Sequence, residues 1–231
     1  MSTPTRAPKI EALFAPHRVV AFTSHVSADL VGQLWAEEQP ATAPMAETRL
    51  VEFATARACA RAALGELGIE AGVPKSGGGA PLWPVGATGS ISHTRGFCVA
   101  VATTERCNVG IDIEEVGRMK PAIERRILVD VERSDLDNLA SGPRRKRLAT
   151  IFAAKEAFYK AHYELEPRYL GFDAIAVQVG DAEVRFQPSS GEVTQATLLT
   201  ASGAFCFEDG RVIVGVTIDQ SGHEPPIPSA A

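Results

Sequence analysis

Cysteine is scarce in this chain: four in 231 residues, at positions 59, 98, 107 and 206, with no CxxC spacing among them. That argues against a zinc site, and a disulfide framework would need a secretory setting. The opening stretch MSTPTRAPKIEALFAP lacks a continuous apolar core of signal-peptide length. No apolar run approaches the roughly 18 residues of a membrane span. Aromatic residues make up 6%, and 23 Lys+Arg stand against 28 Asp+Glu, a net charge of -5. Binding to nucleic acid calls for a basic groove with stacking rings, so this balance speaks against it. A reduced, cytoplasmic protein with neither membrane nor nucleic-acid partner is expected. The 45% of hydrophobic residues can fill a sizeable core, and the length permits one large domain or two small lobes.

Residues 1–16 are rich in Pro and Ala and read as a loose arm, HRVVAFTS (17–24) as a strand, and EQPATAP (38–44) as a linker. A helical pattern runs from about Met45 to Leu67 and stops at Gly68, a favoured position just past a helix end. The Gly/Pro-rich stretch 71–89 reads as a long binding loop. Phe97–Ala102 and Val109–Ile113 read as a hairpin. Segment 115–143 is charged and weakly periodic, and a second helix is expected over 144–163. FDAIAVQV, TQATLLTA and AFCFE read as strands, followed by an Asp209-Gly210 turn into RVIVGVTI. A disordered tail is expected from about 219. Long helix then β-meander occurs twice, which predicts an α+β protein of two lobes, 1–114 and 115–231, with a cleft between them.

Three cations fall on apolar faces. On a helical wheel Arg57 sits amid Leu50, Phe53, Ala60 and Leu64, with Arg49 at the margin of that face. A guanidinium there needs an anion, which could be a protein carboxylate or a ligand; a snorkelling stem is the other alternative. Lys155 lies within the stripe Leu148, Ile151, Phe152, Phe158, Tyr159, and it too needs an anion at the core-facing surface. Glu156 and Lys160, one turn apart, flank that stripe.

In VGIDIE (109–114) strand alternation puts Ile111 and Ile113 on one face and Asp112 and Glu114 on the other, with Cα atoms ~6.6 Å apart. That is either a solvated edge or a cation site; with a third carboxylate, such hard oxygen donors suit Mg²⁺. GSISH (89–93) adds Ser92 and His93 as donors suited to a phosphate.

Together GSISH, VGIDIE and FAAKEAFYK (152–160) resemble the 4′-phosphopantetheinyl transferases of the single-chain type, with 44 positions separating Asp112 from Glu156. The resemblance covers roughly 45–175. It implies a pseudo-twofold fold of two similar lobes, each a long helix on a small antiparallel sheet, acting as a monomer with coenzyme A in the cleft. It implies transfer of 4′-phosphopantetheine from coenzyme A to a serine of an acyl, peptidyl or aryl carrier protein, releasing 3′,5′-ADP, in siderophore, non-ribosomal peptide or polyketide synthesis. By the same resemblance Asp112, Glu114 and Glu156 hold Mg²⁺, with Mn²⁺ as a substitute. Glu156 is the general base and Lys160 stabilises the α-phosphate. Lys155 contacts phosphate, and Arg49, Arg57, Lys75, Ser92 and His93 bind coenzyme A, with Arg49 and His93 on the 3′-phosphate. The family's Ser, Thr or Cys after the aromatic of the last motif is Ala153 here, which removes a hydroxyl contact. An acidic carrier would meet Arg125-Arg126 or Arg144-Arg145-Lys146-Arg147. The competing functions are a metal-dependent phosphodiesterase or nuclease, and a non-catalytic coenzyme A or carrier-binding module.

Overall fold

The computed structural model describes residues 3–119 and 121–220. In chain order these form β1 (Thr5–Arg6), α1 (Pro8–Glu11), β2 (Val20–His25), α2 (Glu47–Glu66), β3 (Thr88–Thr94), β4 (Phe97–Thr103), β5 (Cys107–Glu115), α3 (Pro121–Ile127), α4 (Asp130–Asp137), α5 (Ser141–Tyr163), β6 (Ile175–Val179), β7 (Glu183–Pro188), α6 (Gln195–Leu199), β8 (Ala201–Glu208) and β9 (Arg211–Asp219), with short 3₁₀ turns between. Two antiparallel sheets result, one ordered β1-β2-β4-β3 and the other β5-β9-β8-β7-β6. The protein is therefore α+β, as the sequence pattern predicts.

Strand alternation builds four layers. In β4, Cys98, Ala100 and Ala102 face α2, where Ala56, Cys59, Ala60, Ala63 and Leu64 meet them. The intervening Val99 and Val101 turn the other way and pack with Val109, Ile111, Ile113 and Ile213 of the second sheet. Val212, Val214, Val216 and Ile218 of β9 face α5, whose Ala149, Ala153, Ala154, Ala157 and Ala161 line that contact. The order is α2, first sheet, second sheet, α5. Alanines on both helices let each backbone lie close to its sheet.

Several expectations are corrected. The two apolar runs around 97–113 are not a hairpin: β4 pairs with β2 and β3, whereas β5 pairs along its whole length with β9. Sheet membership therefore changes between Thr103 and Cys107. TQATLLTA contains α6, begun by Thr194, whose hydroxyl accepts from Thr197 N. The strand β7 had no sequence signal beyond its alternation. The arm at 1–16 is ordered where described: Ile10 and Phe14 are buried in the core between the sheets. Segment 115–143 holds α3 and α4, short helices anchored by the buried Ile127, Leu128 and Leu136, while Val131 stays exposed. The expected tail mostly lies outside the described residues; Asp219 ends β9, and Gln220 N donates to the carbonyl of Arg106. Among the described residues no helix is long and apolar enough to cross a membrane.

Candidate active site

The two sheets meet at the edge strands β3 and β5 through hydroxyls spaced two residues apart. Ser90 Oγ accepts from Ile111 N at 3.0 Å, and Ser92 Oγ donates to Asp112 Oδ1 at 2.7 Å. The opposite face of β3 presents Ile91 and His93 toward α2. One edge strand thus connects the α2 side of the first sheet to the carboxylates on β5 of the second sheet.

On the α2 side, a cavity of about 310 Å³ is lined by Arg49, Arg57, Lys75, Ser92, His93 and Lys160, with Phe53, Ala56, Gly79, Pro81 and Ile91 as its apolar walls. Arg57 is 5% exposed and its guanidinium carbon lies 4.2 Å from the centre of the Phe53 ring. Its Nε is buried with no hydrogen-bond partner. Burial lowers its pKa to about 10, against the pull of Glu38. A buried guanidinium with an open donor is costly unless an anion arrives. Arg49 donates from Nη1 to Glu52 at 3.2 Å and also to His93 Nε2. Burial and then Arg49 lower the His93 pKa, which favours the neutral ring that accepts this bond.

Lys75 is positioned from the root of its loop. Glu37 and Glu38 accept from the backbone N of Gly72 and Val73 at 3.1 and 3.0 Å. Glu38, fully buried, also pairs with Arg61. Beyond Lys75, Ser76 N donates to Ala80 O at 2.8 Å and Lys75 bridges Pro81, so the glycine run makes a tight turn. Gly79, at φ 98, supplies its left-handed residue.

On the α5 side lie the carboxylates. Lys160 Nζ donates to Asp112 Oδ1 at 2.8 Å and Ile111 O at 2.9 Å. Asp112 Oδ2 is buried and unpartnered. Burial, and after it Asp112, pushes the Glu114 carboxyl up to about 7; the same two causes raise Glu156. Three crowded acids, one with an orphaned buried oxygen, fit a hard divalent cation. Lys160 sets one positive charge against them. The carboxylate oxygens do not all lie within 4.8 Å of one another; the described group of donors that does is His17, Glu105 and Cys107 at the start of β5. There burial pushes the thiol up to about 12, and Glu105 already accepts from His17 and Arg18 N.

A wider cavity of about 610 Å³ shares Gly79, Pro81, Ile91 and Lys160 with the first and adds Glu156, Tyr159, Tyr163, Tyr169 and Leu170. A cationic compartment therefore adjoins a largely apolar one, with Lys160 in their shared wall and Glu156 lining the second.

Lys155 does not join them. It is fully buried, and its ammonium donates to Ile127 O, Glu132 Oε2 and Phe172 O at 2.8, 2.9 and 2.7 Å. The anion its apolar position demanded is a protein carboxylate, not a ligand phosphate. Sequence reasoning also missed Gly110. A Cβ there would lie 1.8 Å from Ala157 O, so glycine is what lets α5 press onto β5. An isolated glycine inside a strand pattern is the signal that could have found it. The basic run 144–147 is largely used internally: Arg144 pairs with Glu124, Arg147 donates to Val179 O, and Lys146 lies over the Phe207 ring. Arg125, Arg126 and Arg145 are exposed.

Residues 37–103 match the family model described as the 4′-phosphopantetheinyl transferase N-terminal domain, and residues 108–208 match that of the 4′-phosphopantetheinyl transferase superfamily. The chain is 35% identical over 189 residues to the 4′-phosphopantetheinyl transferase Svp of Streptomyces mobaraensis, covering 78% of this chain and 73% of that one. It is 36% identical over 205 residues to the 4′-phosphopantetheinyl transferase PptT of Mycobacterium tuberculosis, covering 79% and 85%. With enterobactin synthase component D of Salmonella typhi the identity is 35% over 130 residues, covering 55% and 54%.

Proposed function

The chain belongs to the 4′-phosphopantetheinyl transferase superfamily, a family of enzymes, and from that premise we propose how its residues bind coenzyme A and transfer the phosphopantetheinyl group to a carrier-protein serine. The observation that carries this reading is Arg57, a buried guanidinium with an unpartnered Nε, in the wall of a cavity that Arg49, Lys75, His93 and Lys160 also line. Coenzyme A supplies the complementary chemistry: a 3′-phosphate, a pyrophosphate and a long arm that is only weakly polar. The cationic compartment takes the phosphates, Arg49 and His93 take the 3′-phosphate, and the apolar compartment takes the arm.

Asp112, Glu114 and Glu156 would hold Mg²⁺, or Mn²⁺ in its place, which would supply positive charge against the pyrophosphate. Glu156, with its raised pKa, accepts the proton of the carrier serine. The serine oxygen forms a bond to the pantetheine-side phosphorus, the phosphoanhydride bond breaks, and 3′,5′-ADP leaves. Lys160 has three donors and spends two on Ile111 O and Asp112, which leaves one for the departing α-phosphate oxygen. One chain supplies both walls of the cleft, which supports a monomer. An acidic carrier would meet the exposed Arg125, Arg126 and Arg145.

The test is incubation with coenzyme A, Mg²⁺ and a panel of apo carrier domains, read by intact mass spectrometry. A carrier that gains the mass of one phosphopantetheinyl group supports the reading. Binding of coenzyme A with no mass gain on any carrier would refute it.

A further inference from the structure

We infer that the buried Lys155–Glu132 pair is a positioning device that sets the rotation of α5, and with it the placement of Glu156 and Lys160 against β5. The inference rests on the transferase reading above and assigns Glu132 a role there.

Lys155 and Glu132 are both without exposure at their side chains. Each of the three ammonium hydrogens has its own acceptor, on three different segments: the end of α3, the first turn of α4, and the loop before β6. Glu132 is equally spoken for. Its Oε2 also accepts from Val129 N at 2.8 Å, and its Oε1 accepts from Val177 N of β6 at 2.8 Å. Four parts of the second lobe thus converge on one point of α5, the residue before Glu156. A second tie lies one turn on, where Tyr159 Oη donates to Gly171 O at 2.7 Å.

Stability alone does not account for the pair. A buried ion pair is commonly matched or bettered by well-packed apolar residues of similar volume. Its distinctive property is direction: a three-bond ammonium fixes an angle, which an apolar contact does not. Lys155 projects ~100° around the helix from Glu156 and ~140° from Lys160, at 100° per residue. From the other side α5 is held by the close approach at Gly110 and by the bonds of Lys160 to β5. The helix is therefore gripped on two faces, which fixes its rotation. A rotation of ~10° carries a side-chain tip, ~5–6 Å from the axis, through ~1 Å. A misplacement of ~1 Å is enough to cost ~100-fold in rate.

The test uses the full chain with both partners replaced by apolar residues, Lys155→Met with Glu132→Leu, beside Lys155→Arg, which keeps the charge but cannot reproduce the three separate bonds. Wild type is measured in parallel, so that loss of the transferase reading itself is seen there first. Folding is followed by thermal melting and coenzyme A affinity by calorimetry. The inference expects the double variant to melt near wild type, to bind coenzyme A within about threefold of wild type, and to lose ~30-fold or more in kcat, as misplacement predicts. Mg²⁺ affinity of the substrate-free protein should fall with it, because Glu156 no longer faces its partners. A folded double variant with wild-type kcat and Mg²⁺ affinity overturns the inference. If the double variant does not fold, Lys155→Arg decides alone: folded with reduced kcat supports it, folded with full kcat overturns it. If neither variant folds, the pair is a stability element and the inference is overturned.

Discussion

The backbone of Ala157 lies so close to Gly110 that a Cβ on the glycine would sit 1.8 Å from the alanine carbonyl oxygen. This contact seats α5 on β5, and it puts Glu156 and Lys160, either side of Ala157, over the strand that carries Asp112 and Glu114. Gly110→Ala must therefore push helix and strand apart. The expected outcome is a loss of ~3 kcal/mol in denaturant unfolding, the upper range for overpacking, together with loss of transfer activity. Both are measured on the same purified variant.

Arg57 separates ligand binding from stability. Arg57→Met keeps the apolar stem against Phe53 and removes the buried charge. Coenzyme A affinity should fall ~10–100-fold in calorimetry, the worth of a charge-assisted hydrogen bond. The melting temperature should hold or rise, because a buried guanidinium with an open Nε no longer has to be accommodated.

Glu114 gives a pH signature. Its carboxyl is pushed from the ordinary range up to about 7, so the folded protein holds the proton more tightly than the unfolded chain does. Its contribution favours folding at low pH and is lost as pH rises from the unfolded value toward about 7. A divalent cation prefers the ionised carboxylate. Mg²⁺ should therefore raise the melting temperature more at pH 8 than at pH 5.5. Glu114→Gln should remove most of the difference.

Removing the metal tests the acidic cluster directly. Dialysis against EDTA should abolish transfer, and added Mg²⁺ should restore it. Glu156→Gln should lower kcat by ~100-fold or more, the scale of general acid–base catalysis, while coenzyme A still binds. Retained transfer in a folded Glu156→Gln protein would exclude it as the base.

Phe14 tests the N-terminal segment. Its ring packs 2.8 Å from where a Cβ on Gly215 would stand, between the two sheets. Phe14→Ala should destabilise by ~3–4 kcal/mol in urea unfolding, the usual cost of an aromatic core truncation. A change near zero would show the segment to be dispensable.

The sequence by itself determined the elements with strong periodicity and the residues whose chemistry contradicts their position. The long helices, the alternation of Asp112 and Glu114 against Ile111 and Ile113, and the cations on apolar faces are all local facts, fixed by 3.6- and 2-residue repeats. What satisfies each anomalous charge is not local. Arg57 and Lys155 present the same sequence signal, yet the first faces an open cavity and the second meets Glu132, 23 residues upstream. Only the packing of α4 against α5 distinguishes them. Pairing was hidden for the same reason: β5 has a short connection from β4 but joins β9, because its Val109, Ile111 and Ile113 face is buried against the first sheet while its edge bonds to a strand a hundred residues away. Position on a helix or strand is written in the neighbouring residues, whereas the partner across a buried interface depends on which surfaces the whole chain brings together.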